Sequence, residues 1–336
     1  MGQTSRELVR GLFEGKDTAS IPFIPWISSF AAQLEQVPVS KMLSDAGLLS
    51  RALINSQKLF GYDAIINVFD PSLEAEACGC RINWSDGGVL PEVISHPLNE
   101  GVSVEELNVS GFEKKGRLPV VIDATKRLHI IKGKEVAIAC LVTSPLTLAV
   151  HLKGKSVLDD LNQGKEEATE IVETTGSIVL KLCRIYCEIG IDLIVIVDEM
   201  LGQTSSEVIQ TMASPLKSIW NVVKFYDVHS LLLTKDCTDK LIEPIFNLQA
   251  EGVAVSGDFS YTKLKETAQR YNSCFARTIP LSSLSGTVTR VGDSTIDCLS
   301  KREKGLFLST EWDVPYTTDV NNMHEIMRVI RDVRGA

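Results

Sequence analysis

The sequence predicts an α/β protein folded as a (β/α)8 (TIM) barrel, in which eight parallel strands alternate with helices. Eight apolar runs of strand length recur along the 336 residues, and several of the segments between them show helical periodicity. Hydrophobic residues make up 44% of the chain and charged residues 23%, so a large core can be buried. This length suits one large barrel or two smaller domains, and the regular alternation favours a single barrel domain over residues 1–336.

Each predicted strand is a short, nearly continuous apolar run, which is typical of parallel strands that are buried on both faces. The eight runs are residues 23–27, 64–69, 136–142, 193–197, 230–233, 253–255, 274–279 and 306–308. Helical patterns occupy residues 48–60, 166–188, 205–225 and 323–333. Residues 81–135 are rich in turns and polar residues, so we expect a long excursion between the second and third strands, with a small hairpin around Gly87-Gly88.

Polar side chains follow the predicted strands, where parallel α/β folds place their working groups. The apolar run 64–69 ends on Asp70, and Pro71 follows it. The alternative for Asp70 is a turn aspartate before proline. The candidate site residues, in chain order, are Trp26, Asp70, Ser144, His151, Asp198, Glu199, Asp236, Cys237, Asp258, Glu311 and Trp312.

We expect these groups to ring one mouth of the barrel and to make it strongly acidic. Neighbouring carboxylates raise each other's pKa by repulsion, so one of them can hold a proton near neutral pH. Asp236 and Asp258 are the best candidates for an alternative role as helix N-caps, which also occur at strand-to-helix turns.

Composition argues against several classes of function. The formal net charge is −9 and basic residues are scattered, so nucleic-acid binding is disfavoured. No run is long enough to span a membrane, and the N-terminus does not have the pattern of a signal peptide. The eight cysteines include no CxxC pair, and we expect a cytoplasmic protein with reduced thiols.

Five stretches of the chain resemble the uroporphyrinogen decarboxylase superfamily, which includes the decarboxylase itself and the methylcobamide:coenzyme M and related corrinoid methyltransferases. The stretches are TSRELVRGLFEGKDTASIPFIPWI, FGYDAIINVFDPSLEAEACGC, TSPLTLAVHLKG, IGIDLIVIVDEMLG and GLFLSTEWDVPYTTDVNNMHEIMRVI. The resemblance covers nearly the whole chain and implies a (β/α)8 barrel. It is less specific for the reaction.

The decarboxylase branch implies an arginine-bearing segment after the first strand, which binds the carboxylates of the substrate. Residues 26–33 contain no arginine. Asp70 falls where the decarboxylase keeps the aspartate that binds pyrrole N–H groups, whereas His151 and Glu199 replace its tyrosine and its serine. An acidic mouth without arginines should repel a polycarboxylate, so decarboxylation of a tetrapyrrole is the alternative function.

The methyltransferase branch implies a zinc ion held by a His-x-Cys pair after the fifth strand and by a cysteine near the eighth. Thr234, Asp236 and Trp312 occupy those positions here, so zinc is not expected. A substitute metal site that uses Cys237 with oxygen ligands from Asp236, Glu311 or Asp313 is the alternative.

The resemblance and the residues together favour an enzyme that moves a methyl group between a corrinoid on a partner protein and a small substrate, without the standard zinc site. In this hypothesis Asp70, His151, Asp198 and Glu199 orient the substrate or move a proton. The other candidate residues bind the substrate, and an acidic pocket suits a cationic compound. A non-catalytic barrel that binds a corrinoid or another small molecule is the third hypothesis, and the resemblance also implies a homodimer.

Overall fold

A computed structural model describes residues 3–18, 20–84, 88–107 and 111–335 of the chain. Within these residues, eight parallel strands form one sheet, with the order β1-β10-β9-β8-β7-β6-β5-β2. Two further strands, β3 and β4, form an antiparallel hairpin. The strands are β1 Phe23–Ile24, β2 Ala64–Ile66, β3 Ile82–Asn83, β4 Glu92–Val93, β5 Ala137–Thr143, β6 Leu193–Asp198, β7 His229–Thr238, β8 Gly252–Asp258, β9 Cys274–Ile279 and β10 Leu306–Thr310.

The two ends of the sheet, β1 and β2, lie beside each other. The amide of Asp63 donates to the carbonyl oxygen of Phe23 at 2.9 Å, and the amide of Phe23 donates to Oδ2 of Asp63 at 2.8 Å. These bonds bring the sheet into a nearly closed barrel, and the predicted (β/α)8 fold is confirmed.

The barrel wall is apolar on both faces, as the continuous strand runs predicted. In β6, Leu193, Val195 and Val197 point into the barrel, whereas Ile194 and Ile196 pack against the surrounding helices. The first helix contributes Val9 and Leu12 to the interior cluster, so it closes the amino-terminal end of the barrel.

The helices occupy the predicted segments with shifted ends. Proline has no amide to donate and is tolerated only in the first turn of a helix, so the predicted helix 205–225 is divided before Pro215. The helices are α1 Ser5–Phe13, α2 Ser29–Leu34, α3 Val39–Met42, α4 Ala46–Phe60, α5 Leu73–Ala77, α6 Leu118–Lys132, α7 Pro145–Lys153, α8 Ser156–Asn162, α9 Glu166–Ile189, α10 Ser206–Thr211, α11 Ala213–Phe225, α12 Asp239–Phe246, α13 Tyr261–Tyr271, α14 Leu281–Leu284, α15 Val288–Leu299 and α16 Val320–Gly335. None of these helices is long and apolar enough to cross a membrane in the part of the chain that the structure describes.

The excursion predicted for residues 81–135 contains the hairpin β3–β4 and the helix α6. Of the predicted Gly87-Gly88 turn, Gly87 lies outside the described residues. Three 3-10 turns complete the secondary structure of the described chain: Pro97–Asn99 and Phe112–Lys114 in the excursion, and Leu201–Gln203 after β6.

Strand β2 is shorter than the apolar run 64–69 because the Asn67 side chain replaces a backbone carbonyl in hydrogen bonding to β5. Oδ1 of Asn67 accepts from the amides of Leu141 at 3.0 Å and Val68 at 2.8 Å. The chain therefore leaves the sheet after Ile66, and Asp70 lies beyond the strand end.

Candidate active site

Asp70 forms a buried ion pair with Arg117 at the carboxyl-terminal end of the barrel. Its Oδ2 accepts from Nη1 of Arg117 at 2.5 Å, and its Oδ1 accepts from the amide and the hydroxyl of Ser72 at 3.0 and 2.7 Å. The Asp70 side chain is 0% exposed. Arg117 also donates to Glu76 at 2.7 Å and stacks on the ring of Trp84 at 4.7 Å. Both carboxylate oxygens of Asp70 thus have hydrogen-bond partners, and its charge is paired with that of Arg117.

Asp198 anchors the loop that follows β6. Its Oδ2 accepts from the hydroxyl of Ser144 at 2.5 Å, and its Oδ1 accepts from the amides of Met200 and Leu201 at 2.7 and 2.8 Å. The carboxylate is fully buried, and burial raises its pKa. Ser144 in turn caps helix α7 by accepting from the amide of Thr147. Both predicted site residues are therefore engaged in holding the loop.

Glu199, His151 and Lys235 form a row of partly exposed side chains at the same end of the barrel. Oε2 of Glu199 lies 3.8 Å from Nε2 of His151, and its Oε1 lies 3.6 Å from Nζ of Lys235. The exposed fractions are 23% for Glu199, 15% for His151 and 32% for Lys235. We call these three residues the Glu199 row.

Burial shifts the pKa values of Glu199 and His151 within the Glu199 row. Burial raises the pKa of Glu199, while the charge of Lys235 opposes that rise. Burial, with a smaller effect of His96, lowers the pKa of His151 to about 4, so this imidazole is neutral at pH 7. Nδ1 of His151 is buried and has no hydrogen-bond partner among the described residues. The row thus pairs a carboxylate of raised pKa with a neutral imidazole and an ammonium group.

A backbone irregularity in β7 determines where Lys235 lies. The register between β7 and β8 shifts between Thr234 and Cys237, and Asp236 has a φ of 58° in the left-handed region. A Cβ on Gly202 would overlap the carbonyl oxygen of Lys235, so glycine is needed there for the turn after β6 to pack against this bulge.

Aromatic side chains flank the Glu199 row. The ammonium group of Lys235 lies 4.7 Å from the ring centroid of Trp312, which packs edge-on against Phe69 at 4.9 Å. Trp26 is fully buried in the interior cluster, and its Nε1 has no partner within the described chain. The indole N–H of Trp26 is therefore a buried donor without an acceptor among the described residues, a costly arrangement.

The remaining predicted residues are exposed or have other hydrogen-bond partners. Asp236 is exposed and accepts from Gln203 at 3.2 Å, and Asp258 is exposed at the end of β8. Glu311 accepts from the amide of Leu281 at 2.9 Å. The Cys237 thiol is buried and donates to the carbonyl of Lys235, and burial raises its pKa to about 12.

Two further buried acids, Glu74 and Asp313, lie near Asp70. Glu74 was not predicted, and Asp313 was considered only as a ligand of the substitute metal site. Glu74 accepts from the amide and hydroxyl of Thr143, and Asp313 accepts from Ser28 and Ser29. Burial raises the pKa of each carboxyl to about 7. This end of the barrel thus contains one carboxylate paired with an arginine and two buried carboxyls whose pKa lies near 7.

A family model described as uroporphyrinogen decarboxylase (URO-D) matches residues 4–333. The chain belongs to the uroporphyrinogen decarboxylase family. It is 28% identical over 196 residues to a methylcobamide:CoM methyltransferase of Methanosarcina acetivorans, a match that covers 56% of each chain. A methylcobamide:CoM methyltransferase of Methanosarcina mazei is 25% identical over 195 residues, again with 56% of each chain covered. The matches therefore span only about half the length of these curated relatives.

A solved methyltransferase structure from Methanosarcina mazei superposes with a TM-score of 0.86 at 19% identity, covering 98% of this chain and 99% of that one. At this identity the likeness shows the fold alone. The predicted family is confirmed, and the curated relatives carry methyltransferase names, as the resemblance implied.

The zinc site of the methyltransferase branch and the substitute site around Cys237 would each need several metal-binding side chains close together. Among the described residues, no three His, Cys, Asp or Glu side chains are close enough to share a metal ion. The substitute site considered around Cys237 is not assembled, because Glu311 and Asp313 bind backbone amides elsewhere.

Sequence reasoning missed Arg117, although the sequence contained one signal for it. Arg117 directly precedes the run of residues that forms α6, within the excursion predicted for residues 81–135. It is 47 positions from Asp70, so only the packing of the excursion onto the barrel brings the two together. Lys235, which lies shortly after the apolar run 230–233, was not among the candidate site residues either.

Proposed function

We propose that this protein transfers a methyl group between a corrinoid carried by a partner protein and a small substrate. The observation that carries the proposal is the Glu199 row, a carboxylate of raised pKa between an ammonium group and a neutral imidazole. The names of the curated relatives, methylcobamide:CoM methyltransferases, support the same reaction class. When bound at the mouth, the corrinoid supplies or accepts the methyl group.

Glu199 receives the proton that the substrate releases when it accepts the methyl group. A thiol or amine that bonds to a methyl carbon must lose a proton, and a partly buried carboxylate of raised pKa is suited to receive it. The fully buried Asp70 and Asp198 hold the surrounding loops instead. This assignment narrows the four predicted catalytic residues to Glu199 and His151.

Lys235, Trp312 and His151 orient the substrate. The charge of Lys235 partly offsets the effect of burial on the pKa of Glu199, and it lies beside the flat ring of Trp312. Because the neighbouring acids are paired or partly protonated, the site favours an uncharged or anionic substrate over the cationic one first expected. Coenzyme M, which the relatives' names contain, is one anionic candidate.

The proposed reaction includes no step through zinc, because no group of three His, Cys, Asp or Glu side chains in the described part of the chain could hold a metal ion. Decarboxylation of a tetrapyrrole is not favoured, since both oxygens of Asp70 are occupied by Arg117 and Ser72. Pyrrole N–H groups would have to displace this buried ion pair.

The test measures methyl transfer to and from methylcobalamin with a panel of thiols, methylamines and methoxy compounds. We expect one class of compound to react, and we expect Glu199→Gln to lower the rate by at least about 100-fold, because the amide cannot accept the proton. Glu173→Gln is the matched control, because Glu173 is exposed on α9.

Methyl transfer with equal rates in wild type and Glu199→Gln would disprove the role of Glu199. No transfer with any compound, together with tight binding of methylcobalamin, would instead support the non-catalytic barrel. A product formed from a porphyrinogen would restore the decarboxylase alternative.

A further inference from the structure

Strands β8 and β9 separate along their carboxyl-terminal halves. They pair only through Gly252 with Cys274 and Val253 with Phe275, although β8 continues to Asp258 and β9 to Ile279. A cavity of about 450 Å³ lies at this separation, flanked by α13 and α15. This volume falls in the range of small-molecule sites.

The cavity combines an apolar lining with one arginine. Its lining includes Val255, Leu264, Ala276 and Cys298, which are all less than 10% exposed. Ala276 belongs to the barrel interior and Val255 to the outer layer, so the cavity reaches both faces of the wall. Arg277 is the cation of the lining, which also contains the exposed carboxylates of Asp293 and Asp297.

Arg277 is held rigidly but keeps donors for a ligand. Its guanidinium carbon lies 4.5 Å from the ring centroid of Tyr261. Two of its N–H groups donate to the backbone oxygen and Oδ2 of Asp297, both at 2.7 Å. The Arg277 side chain is 16% exposed, whereas Asp297 is 74% exposed. An exposed carboxylate pairs weakly because water competes for it, so a ligand anion can replace it.

We propose that this cavity binds a small anion with an apolar body, either a carboxylate or a phosphate monoester. The anionic group pairs with Arg277, whose planar fork matches both chemistries, and the apolar body fills the space beside Val255 and Ala276. The site lies between β8, β9, α13 and α15, and it is independent of the reaction proposed above.

The experiment titrates the full chain with phenyl phosphate, with phenylacetate and with uncharged benzyl alcohol, and follows binding by calorimetry and by NMR. We expect one or both anions to bind more tightly than the alcohol. Asp297→Asn should tighten anion binding by about two- to fivefold, because it removes the competing carboxylate from Arg277. Arg277→Gln should weaken anion binding by at least about tenfold.

Asp332→Asn is the matched control, because Asp332 is an exposed partner of Arg328 on α16 and should leave binding unchanged. Binding of only one anion would identify the head group. The proposal is overturned if neither anion binds in the millimolar range, or if the alcohol binds equally well. Asp297→Asn leaves Arg277 in place, so weaker anion binding in that variant would also overturn it, even if Arg277→Gln fails to fold.

Discussion

Replacing Arg117 by methionine tests the ion pair that holds the excursion on the barrel. Methionine preserves most of the apolar stem but removes the guanidinium from Asp70, Glu76 and Trp84. Asp70 would then be a carboxylate with 0% exposure and hydrogen bonds only from Ser72. The substitution therefore leaves an uncompensated buried charge.

Removing one partner of a buried ion pair costs about 3–5 kcal/mol. The lost stacking of Arg117 on Trp84 contributes about 0.5–2 kcal/mol to that total. We expect Arg117→Met to lower the free energy of unfolding by about 3–5 kcal/mol. The double variant with Asp70→Asn should recover at least about 1 kcal/mol, because it removes the unpaired charge.

Urea unfolding followed by circular dichroism measures both values. Arg127→Met is the control, because Arg127 lies on the same helix, α6, and pairs with Asp123 at 50% exposure of each side chain. This control should cost less than about 1 kcal/mol. The reasoning fails if Arg117→Met is as mild as the control, or if the double variant is no more stable than Arg117→Met alone.

Two further changes test the buried surroundings of the site. Burial raises the pKa of Asp313 from 3.8 to about 7, so the folded protein holds this proton more tightly than the unfolded chain does. The free energy of unfolding should therefore fall as the pH rises from about 4 to 7, and Asp313→Asn should reduce that fall by about 2–4 kcal/mol in urea unfolding at several pH values. Gly202→Ala should lower the free energy of unfolding by about 1–3 kcal/mol, because its methyl group would overlap the carbonyl of Lys235.

Each of these two predictions would be contradicted by a specific result. An unchanged pH dependence in Asp313→Asn would show that this carboxyl is already ionised in the folded protein. For Gly202→Ala the control is Gly335→Ala, since a Cβ at Gly335 meets no atom within 4 Å. Equal stability of the two alanine variants would show that the bulge in β7 accommodates the methyl group without loss of stability.

The strand-end positions were predictable because they follow from a local pattern. Apolar runs identified the strands, and parallel strands bring their carboxyl ends to one edge, so Asp198 and Glu199 could be placed there from the sequence. The burial and the hydrogen-bond partners of each group were not predictable. Asp198 and Glu199 are adjacent in the sequence. The Asp198 carboxylate is buried and accepts three hydrogen bonds, whereas Glu199 is partly exposed beside Lys235.

The (β/α)8 architecture could be predicted from the chain alone, because alternating apolar and helical segments are short-range properties of the sequence. The family was indicated separately, by the stretches that resemble it, and the family model confirms it. The charge of the mouth depends instead on long-range packing. Arg117 reaches Asp70 across 47 positions, and burial brings the pKa of Asp313 to about 7. Desolvation and ion pairing depend on which distant segments pack together, and those contacts exist only in the folded chain.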